Sequence, residues 1–202
     1  MSGETKEQVR TQFKKLRREM DNPAGSAELL AAAAAPLLGS LSPGTLVSCY
    51  LSAGSEPDTS SLLHALHSAG HTVVVPVCEP GHQLSWCPWT PGTALLPGLF
   101  PGLPEPAGPR WGLDRVLGLD LLLVPALAVA ADGIRMGKGG GYYDRFLTRF
   151  RAAGGMAPVA AVVHDHEFVP AGSLPADALD VPVDAVLRPA GYTPLSGREV
   201  YT

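Results

Sequence analysis

Leu119-Asp-Leu-Leu-Leu-Val124 is followed shortly by Gly133-Ile-Arg-Met-Gly137-Lys-Gly-Gly-Gly141-Tyr-Tyr-Asp144, and these two stretches decide the fold. The first is an apolar run of strand length, as expected of a strand covered on both faces. The second holds five glycines in nine residues and leads into a helix predicted from Tyr142 to about Ala152. Strand, glycine loop and helix in that order describe an α/β unit. In an open parallel sheet ligands gather beyond the carboxyl ends of the strands, so the loop at 133–141 is the first place to look for function.

Outward from this unit the alternation recurs. Thr45–Leu51 is β-rich and runs into a Gly-Ser-Glu-Pro-Asp turn, after which Asp58 or Thr59 can cap a helix through Leu62, Leu63 and Leu66 that Gly70 closes. Thr72–Val77 is a continuous β-branched run, and Gln83–Trp89 alternates with Pro88 marking it as an edge strand. Val159–Val163 and Val183–Leu187 complete the strands. Near the start, Val9, Phe13, Leu16 and Met20 form one apolar stripe of a helix over 4–20, with Lys6, Arg10, Lys14 and Arg17 on its polar side. Asp21–Gly25 breaks that helix, and Ser26 caps a second, Ala- and Leu-rich one that ends near Pro36 or Gly39. Residues 90–112 are dense in Pro and Gly and read as a long ordered loop, a kind usually reserved for function. The predicted class is α/β: a single domain over 1–202, three-layered α/β/α, with a mostly parallel Rossmann-like sheet. The helix at 4–20 is expected to pack on that core, and residues 190–202 to form a flexible tail.

Composition narrows the function classes. With 202 residues and 46% of them apolar, the chain can bury one sizeable core. A net charge of −4 argues against a broad nucleic-acid face, though not against a local basic pocket. Cys49, Cys78 and Cys87 form neither an even framework nor a close pair, which suits reduced thiols in a cytoplasmic protein. No secretory leader is evident and no apolar run is long enough to span a membrane, so neither nucleic acid nor membrane is an expected partner.

The glycine loop has the ingredients of a phosphate cradle: amides unobstructed by side chains, a helix N-terminus, and the cations Arg135 and Lys138. It is not a Walker A loop, because the spacing is one residue short and Gly139 stands where Ser or Thr should hold magnesium. Nor is it a dinucleotide fingerprint, since Tyr142 replaces the closing small residue.

Gly133-x-Arg135-x-Gly137-x-Gly139-x-Gly141-Tyr-Tyr-Asp144 resembles the signature of the 5-formyltetrahydrofolate cyclo-ligase family. Other landmarks follow in the family's order: Lys6 and Arg10 on the first helix, Tyr50-Leu51-Ser-x-x-Ser-Glu56-x-Asp-Thr, Leu103-Pro-Glu105-Pro106, Val124-Pro125-Ala-Leu-Ala128 and Asp180-Val-Pro-Val-Asp184. The resemblance implies ATP- and magnesium-dependent conversion of 5-formyltetrahydrofolate into 5,10-methenyltetrahydrofolate, with ADP and phosphate released after an N5-iminium phosphate intermediate. It implies a monomer whose ATP site comprises Lys6, Arg10, Arg135, Met136, Gly137, Lys138, Gly139, Gly140, Gly141, Tyr142 and Tyr143. Within that set Arg135 and Lys138 would be catalytic, stabilising the transferred phosphoryl group. Folate would meet Leu51, Glu56, Lys138, Gly139, Gly140, Gly141 and Tyr142, while Asp144 and Asp180 would ligate Mg2+. The four-residue spacing of Lys6 and Arg10 puts both on one helical face, as a shared anion needs.

The sequence departs from the family pattern at Val129-Ala130, where Phe-Asp is common, with Asp132 the candidate substitute for the missing carboxylate. Leu179 stands in place of a usual His, and His166 where Gln is frequent. Competing readings are a folate- or nucleotide-binding or regulatory protein of the same fold without catalysis, a ligase acting on another amide, and a zinc hydrolase built on His164-Asp165-His166 at a strand end.

Overall fold

The computed structural model describes residues 4–20 and 25–195. Its helices are α1 (Lys6–Glu19), α2 (Ser26–Ser40), α3 (Ser60–Ser68), α4 (Leu113–Val116) and α5 (Tyr142–Ala152). The strands are β1 (Leu46–Ser48), β2 (Thr72–Glu79), β3 (Gln83–Trp89), β4 (Leu95–Pro97), β5 (Pro104–Pro106), β6 (Leu121–Pro125), β7 (Ala128–Ala130), β8 (Arg135–Met136), β9 (Val159–Val162), β10 (Phe168–Val169), β11 (Ala185–Arg188) and β12 (Gly191–Pro194).

The main sheet has seven strands in the order β12-β11-β9-β6-β1-β2-β3. The five inner ones run parallel, while β12 and β3 close the edges antiparallel. Strand alternation sends Leu121 and Leu123 to one face and Leu122 and Val124 to the other, so the sheet feeds two cores. One is roofed by α2 and α3, the other by α4 and α5. Leu62, Leu63 and Leu66 of α3 are essentially inaccessible, each stabilising by about 1.5–3 kcal/mol relative to exposure. This is the expected α/β/α arrangement with a mostly parallel sheet.

Asp120 does not break the central strand; its carboxylate accepts from the Leu46 amide at 2.8 Å and fixes the entry of β6 beside β1. Pro88 does lie on an edge strand, opposite Val74. The second helix passes through Pro36 instead of stopping there, because Ala34 and Leu37 are buried against the sheet on either side of it. Residues 90–112 are less irregular than expected: β4 and β5 form a small hairpin, and Trp111 pairs with Trp86 at its base.

The first helix packs on the core beside a three-stranded sheet, β10-β7-β8, with Val9 and Phe13 against Leu127, Ala128, Ala130 and Met136. Two expectations are corrected. Leu16, assigned to the apolar stripe, is exposed, while Arg17 is buried and pairs with Glu167. A guanidinium that finds a carboxylate and the Ala126 carbonyl can lie inside, which hydropathy does not register. Residues 191–194 are strand β12, paired residue for residue with β11; 196–202 and the predicted break at 21–24 lie outside the described residues.

Candidate functional site

β1 and β6 are neighbours, and the chain leaves their carboxyl ends as the segments 49–56 and 125–128. Those segments, the loop 137–141, the start of α5 and the hairpin tip at 100–105 surround one cleft of about 610 Å³. Its fourth side is α1 with the loop around Asp180. The volume is that of a site for a sizeable small molecule.

The residues singled out in the sequence all line this cleft: Lys6 and Arg10 from α1; Leu51 and Glu56 after β1; Arg135 through Tyr143; then Asp144 and Asp180. Their order along the chain says nothing of this proximity, since Lys6 and Asp180 are separated by 174 residues yet bonded at 2.7 Å.

Their charges are paired crosswise. Lys6 contacts Asp180 at 2.5 Å and Asp177 at 2.7 Å. Arg135 meets Asp144 at 2.6 Å, and Lys138 meets Glu56 at 2.6 Å. Burial works against the charge on Lys6, but hydrogen bonds to Asp177 and Asp180 outweigh it and raise its pKa. Arg135 is buried, with its guanidinium 5.9 Å from the Tyr143 ring. Glu56 is buried too and is turned by the Ala53 amide, 2.9 Å from its second oxygen. Three of the four cations expected at a phosphate, Lys6, Arg135 and Lys138, therefore neutralise a carboxylate expected at a metal or a substrate, while Arg10 pairs with Glu7 at 3.3 Å; incoming ligands must compete for those three pairs.

Backbone geometry explains the glycines at two positions. Gly139 has φ +106°, and the guanidinium of Arg10 lies 3.6–3.7 Å from where a side chain would begin. Gly141, with φ +66°, turns the chain into α5. Arg10 Nε donates to the Gly137 carbonyl at 3.1 Å, tying the first helix to the loop. The first amides of the eleven-residue α5 receive no side-chain cap, the condition under which a helix start can take an anion.

Other lining residues were given no site role from the sequence. Tyr50 and Glu105 stand in the landmark segments, and that placement was their hint, whereas Phe100 and Cys78 carried none. Phe100, on the tip of the β4–β5 hairpin, packs edge-on against Tyr142 at 6.0 Å, and His82 flanks the same ring at 5.3 Å. Glu105 accepts from the Leu99 amide at 3.1 Å and holds that tip in shape. Cys78 lies in the wall, but burial pushes its thiol to about 11, which leaves no thiolate nucleophile at neutral pH.

Asp132 does not replace the carboxylate absent at Val129-Ala130. It lies outside the cleft, accepting from the Ile134 and Gly172 amides at 3.2 and 2.7 Å, while Val129 and Ala130 are buried in β7. The zinc reading also falls. His164-Asp165-His166 is not strand; residues 165–167 form a 3-10 turn, and His164 is held to the Ser55 carbonyl at 3.1 Å. Among the described residues no group of three His, Cys, Asp or Glu side chains could hold a metal.

A profile of the 5-formyltetrahydrofolate cyclo-ligase family matches residues 2–189. The chain belongs to that family. It is 37% identical to the 5-formyltetrahydrofolate cyclo-ligase of Mycolicibacterium smegmatis over 94% of this chain and 96% of the relative. It is 32% identical to the enzyme of that name from Escherichia coli K12, covering 71% of this chain and 78% of the other. Among solved structures it superposes on the 5,10-methenyltetrahydrofolate synthetase of Aquifex aeolicus with a TM-score of 0.74 and 25% identity, covering 98% of this chain and 96% of that one. The Mycoplasma pneumoniae synthetase has the same fold, with a TM-score of 0.68 at 17% identity. The chain is therefore a cyclo-ligase family enzyme, a ligase, and its departures at Val129-Ala130 and Leu179 sit in a buried strand and on the open surface.

Proposed function

We propose that this cleft cyclises 5-formyltetrahydrofolate to 5,10-methenyltetrahydrofolate using ATP. The observation that carries the reading is convergence: Lys6, Arg10, Arg135 and Lys138 meet Glu56, Asp144 and Asp180 around one cavity at the carboxyl ends of parallel strands. Lys6 and Arg10 hold the ATP phosphates from α1, while the amides of Gly139, Gly140 and Gly141 cradle the group to be transferred. Leu51 covers the folate ring and Glu56 accepts its N–H groups.

With both substrates held, the formyl oxygen attacks the γ-phosphorus and ADP leaves, giving an N5-iminium phosphate. Arg135 and Lys138 stabilise the equatorial charge that develops during transfer. N10 then adds to the activated carbon, the C–O bond breaks, and phosphate departs carrying the proton lost by N10. No side-chain nucleophile is needed, in keeping with a thiol at Cys78 that stays protonated. The protein's contribution is positioning and charge neutralisation. Asp144 and Asp180 are hard oxygen donors fit to hold Mg2+, which needs few protein ligands when phosphates and waters supply the rest, and which would neutralise phosphate charge there.

The working unit in this reading is a monomer. No helix among the described residues is long and apolar enough to cross a membrane, and the reaction is assigned to the cytoplasm. The test is direct: purified protein with Mg-ATP should convert 5-formyltetrahydrofolate into a product with the strong near-ultraviolet absorbance of the methenyl form. Folded protein that binds ATP yet produces no absorbance rise sinks the reading.

A further inference from the structure

The Lys6 ammonium has three N–H donors, and three carboxylate oxygens surround it: Oδ1 of Asp180 at 2.7 Å, Oδ2 of Asp180 at 2.5 Å and Oδ2 of Asp177 at 2.7 Å. These contacts use every donor, so a phosphate can reach Lys6 only by displacing one of them. The two carboxylates differ in how firmly they are held. The Asp180 side chain is 15% exposed, lines the cleft and meets Lys6 through both oxygens. Its Oδ2 also accepts from the Asp177 amide at 2.7 Å. The Asp177 side chain is 67% exposed, meets Lys6 through one oxygen and stands outside the lining of the cleft, at its rim.

Asp177 is therefore the contact that yields. A carboxylate already facing water completes its hydration when it lets go. Exchanging its oxygen for a phosphate oxygen leaves Lys6 with the same number of charge-assisted hydrogen bonds. The backbone need not follow the side chain. The Asp177 amide is tied to the Asp180 carboxylate, and the Asp180 amide donates to the Asp177 carbonyl at 3.1 Å. That closed turn keeps the Asp177 carboxylate within reach of Lys6 after a phosphate leaves.

We propose that Asp177 is an intramolecular stand-in for a phosphate oxygen: it occupies Lys6 in the absence of nucleotide, gives way to ATP, and returns as ADP departs. This rests on the reading of Lys6 as a contact of the ATP phosphates. A stand-in weakens nucleotide binding, so removing it tightens binding, the reverse of losing a contact residue. The experiment titrates ATP and ADP calorimetrically, with magnesium in fixed excess and no folate, into wild type, Asp177→Asn, Lys6→Met and the double variant. Asp177→Asn should bind both nucleotides about 2- to 5-fold more tightly, the size expected of one largely exposed ion pair, and the gain should shrink as salt is raised. In the Lys6→Met background the same substitution should bring no such gain. An equal gain in both backgrounds marks a diffuse effect of charge and overturns the proposal. Unchanged or weaker nucleotide binding in Asp177→Asn overturns it too. Wild type that binds 5-formyltetrahydrofolate but neither nucleotide overturns the ATP reading of Lys6 itself, and Asp177 with it.

Discussion

Lys138 Nζ lies 2.6 Å from Glu56 Oε1, so a loop cation expected at the transferred phosphate and a carboxylate expected at the folate neutralise one another across the cleft. The lysine is half exposed and the glutamate buried, which makes Lys138 the partner free to move when ligands arrive. Glu56→Gln keeps the shape and removes the charge. It should weaken 5-formyltetrahydrofolate binding about 10- to 100-fold, the range for losing a charge-assisted hydrogen bond, with ATP binding much less affected. Separate titrations of the two ligands check this.

Arg135 is buried, shares Asp144 and stands over Tyr143, so both its charge and its fork geometry are committed to the site. Arg135→Ala should lower kcat by about a thousandfold or more, as expected for a group acting on the transferred phosphoryl. Circular dichroism should still report a folded protein, and turnover near that of wild type would show the chemistry lies elsewhere.

Asp144 and Asp180 are each held by a cation of the cleft, Arg135 and Lys6 respectively. Asp144→Asn and Asp180→Asn should each raise the magnesium concentration needed for half-maximal turnover by about tenfold or more. Activity measured across a magnesium series after chelator treatment gives the answer. A response identical to wild type in both variants would remove them as ligands.

Arg17 and Glu167 form a buried pair between α1 and the turn after β9. Breaking it by Arg17→Met leaves a carboxylate without its counter-ion and should cost about 3–5 kcal/mol in chemical denaturation. Because α1 carries Lys6 and Arg10, ATP affinity should fall together with stability, although residue 17 lies outside the cleft.

Burial holds the His164 pKa below its ordinary value, against the pull of the Ser55 carbonyl and Glu167 and with Arg17 and His166 acting in the same sense as burial. Below about pH 6.5 the unfolded chain binds a proton that the folded one refuses. His164 therefore contributes full stability above that pH and loses it as pH falls toward its folded pKa. His164→Gln retains a donor for Ser55, and its melting temperature should decline less than that of wild type between about pH 7.5 and 5.5.

Element type was legible wherever one physical signal dominated. Leu62, Leu63 and Leu66 mark a buried helical stripe, Thr72–Val77 a strand covered on both faces, and Pro88 an edge. Signals of mixed origin misled. Leu16 and Arg17 exchanged the burial that hydropathy assigns them, because an ion pair 150 residues away outweighed the apolar pattern. His164 and His166 looked like a strand pair, although β9 ends at Val162 and the chain turns. The short β7, β8 and β10 carry too few residues for a period to show, yet together they form the surface that receives α1.

By itself the sequence determined the glycine loop and its two cations as a phosphate cradle, because residue type and spacing fix local charge and backbone freedom. Resemblance along the chain added the folate chemistry. Only the tertiary structure decided that Lys6 faces Asp180, that Lys138 faces Glu56 and that Arg17 is buried against Glu167. Those facts depend on distances between segments far apart in the chain, and such distances are set by how the sheet is ordered and how the helices pack upon it.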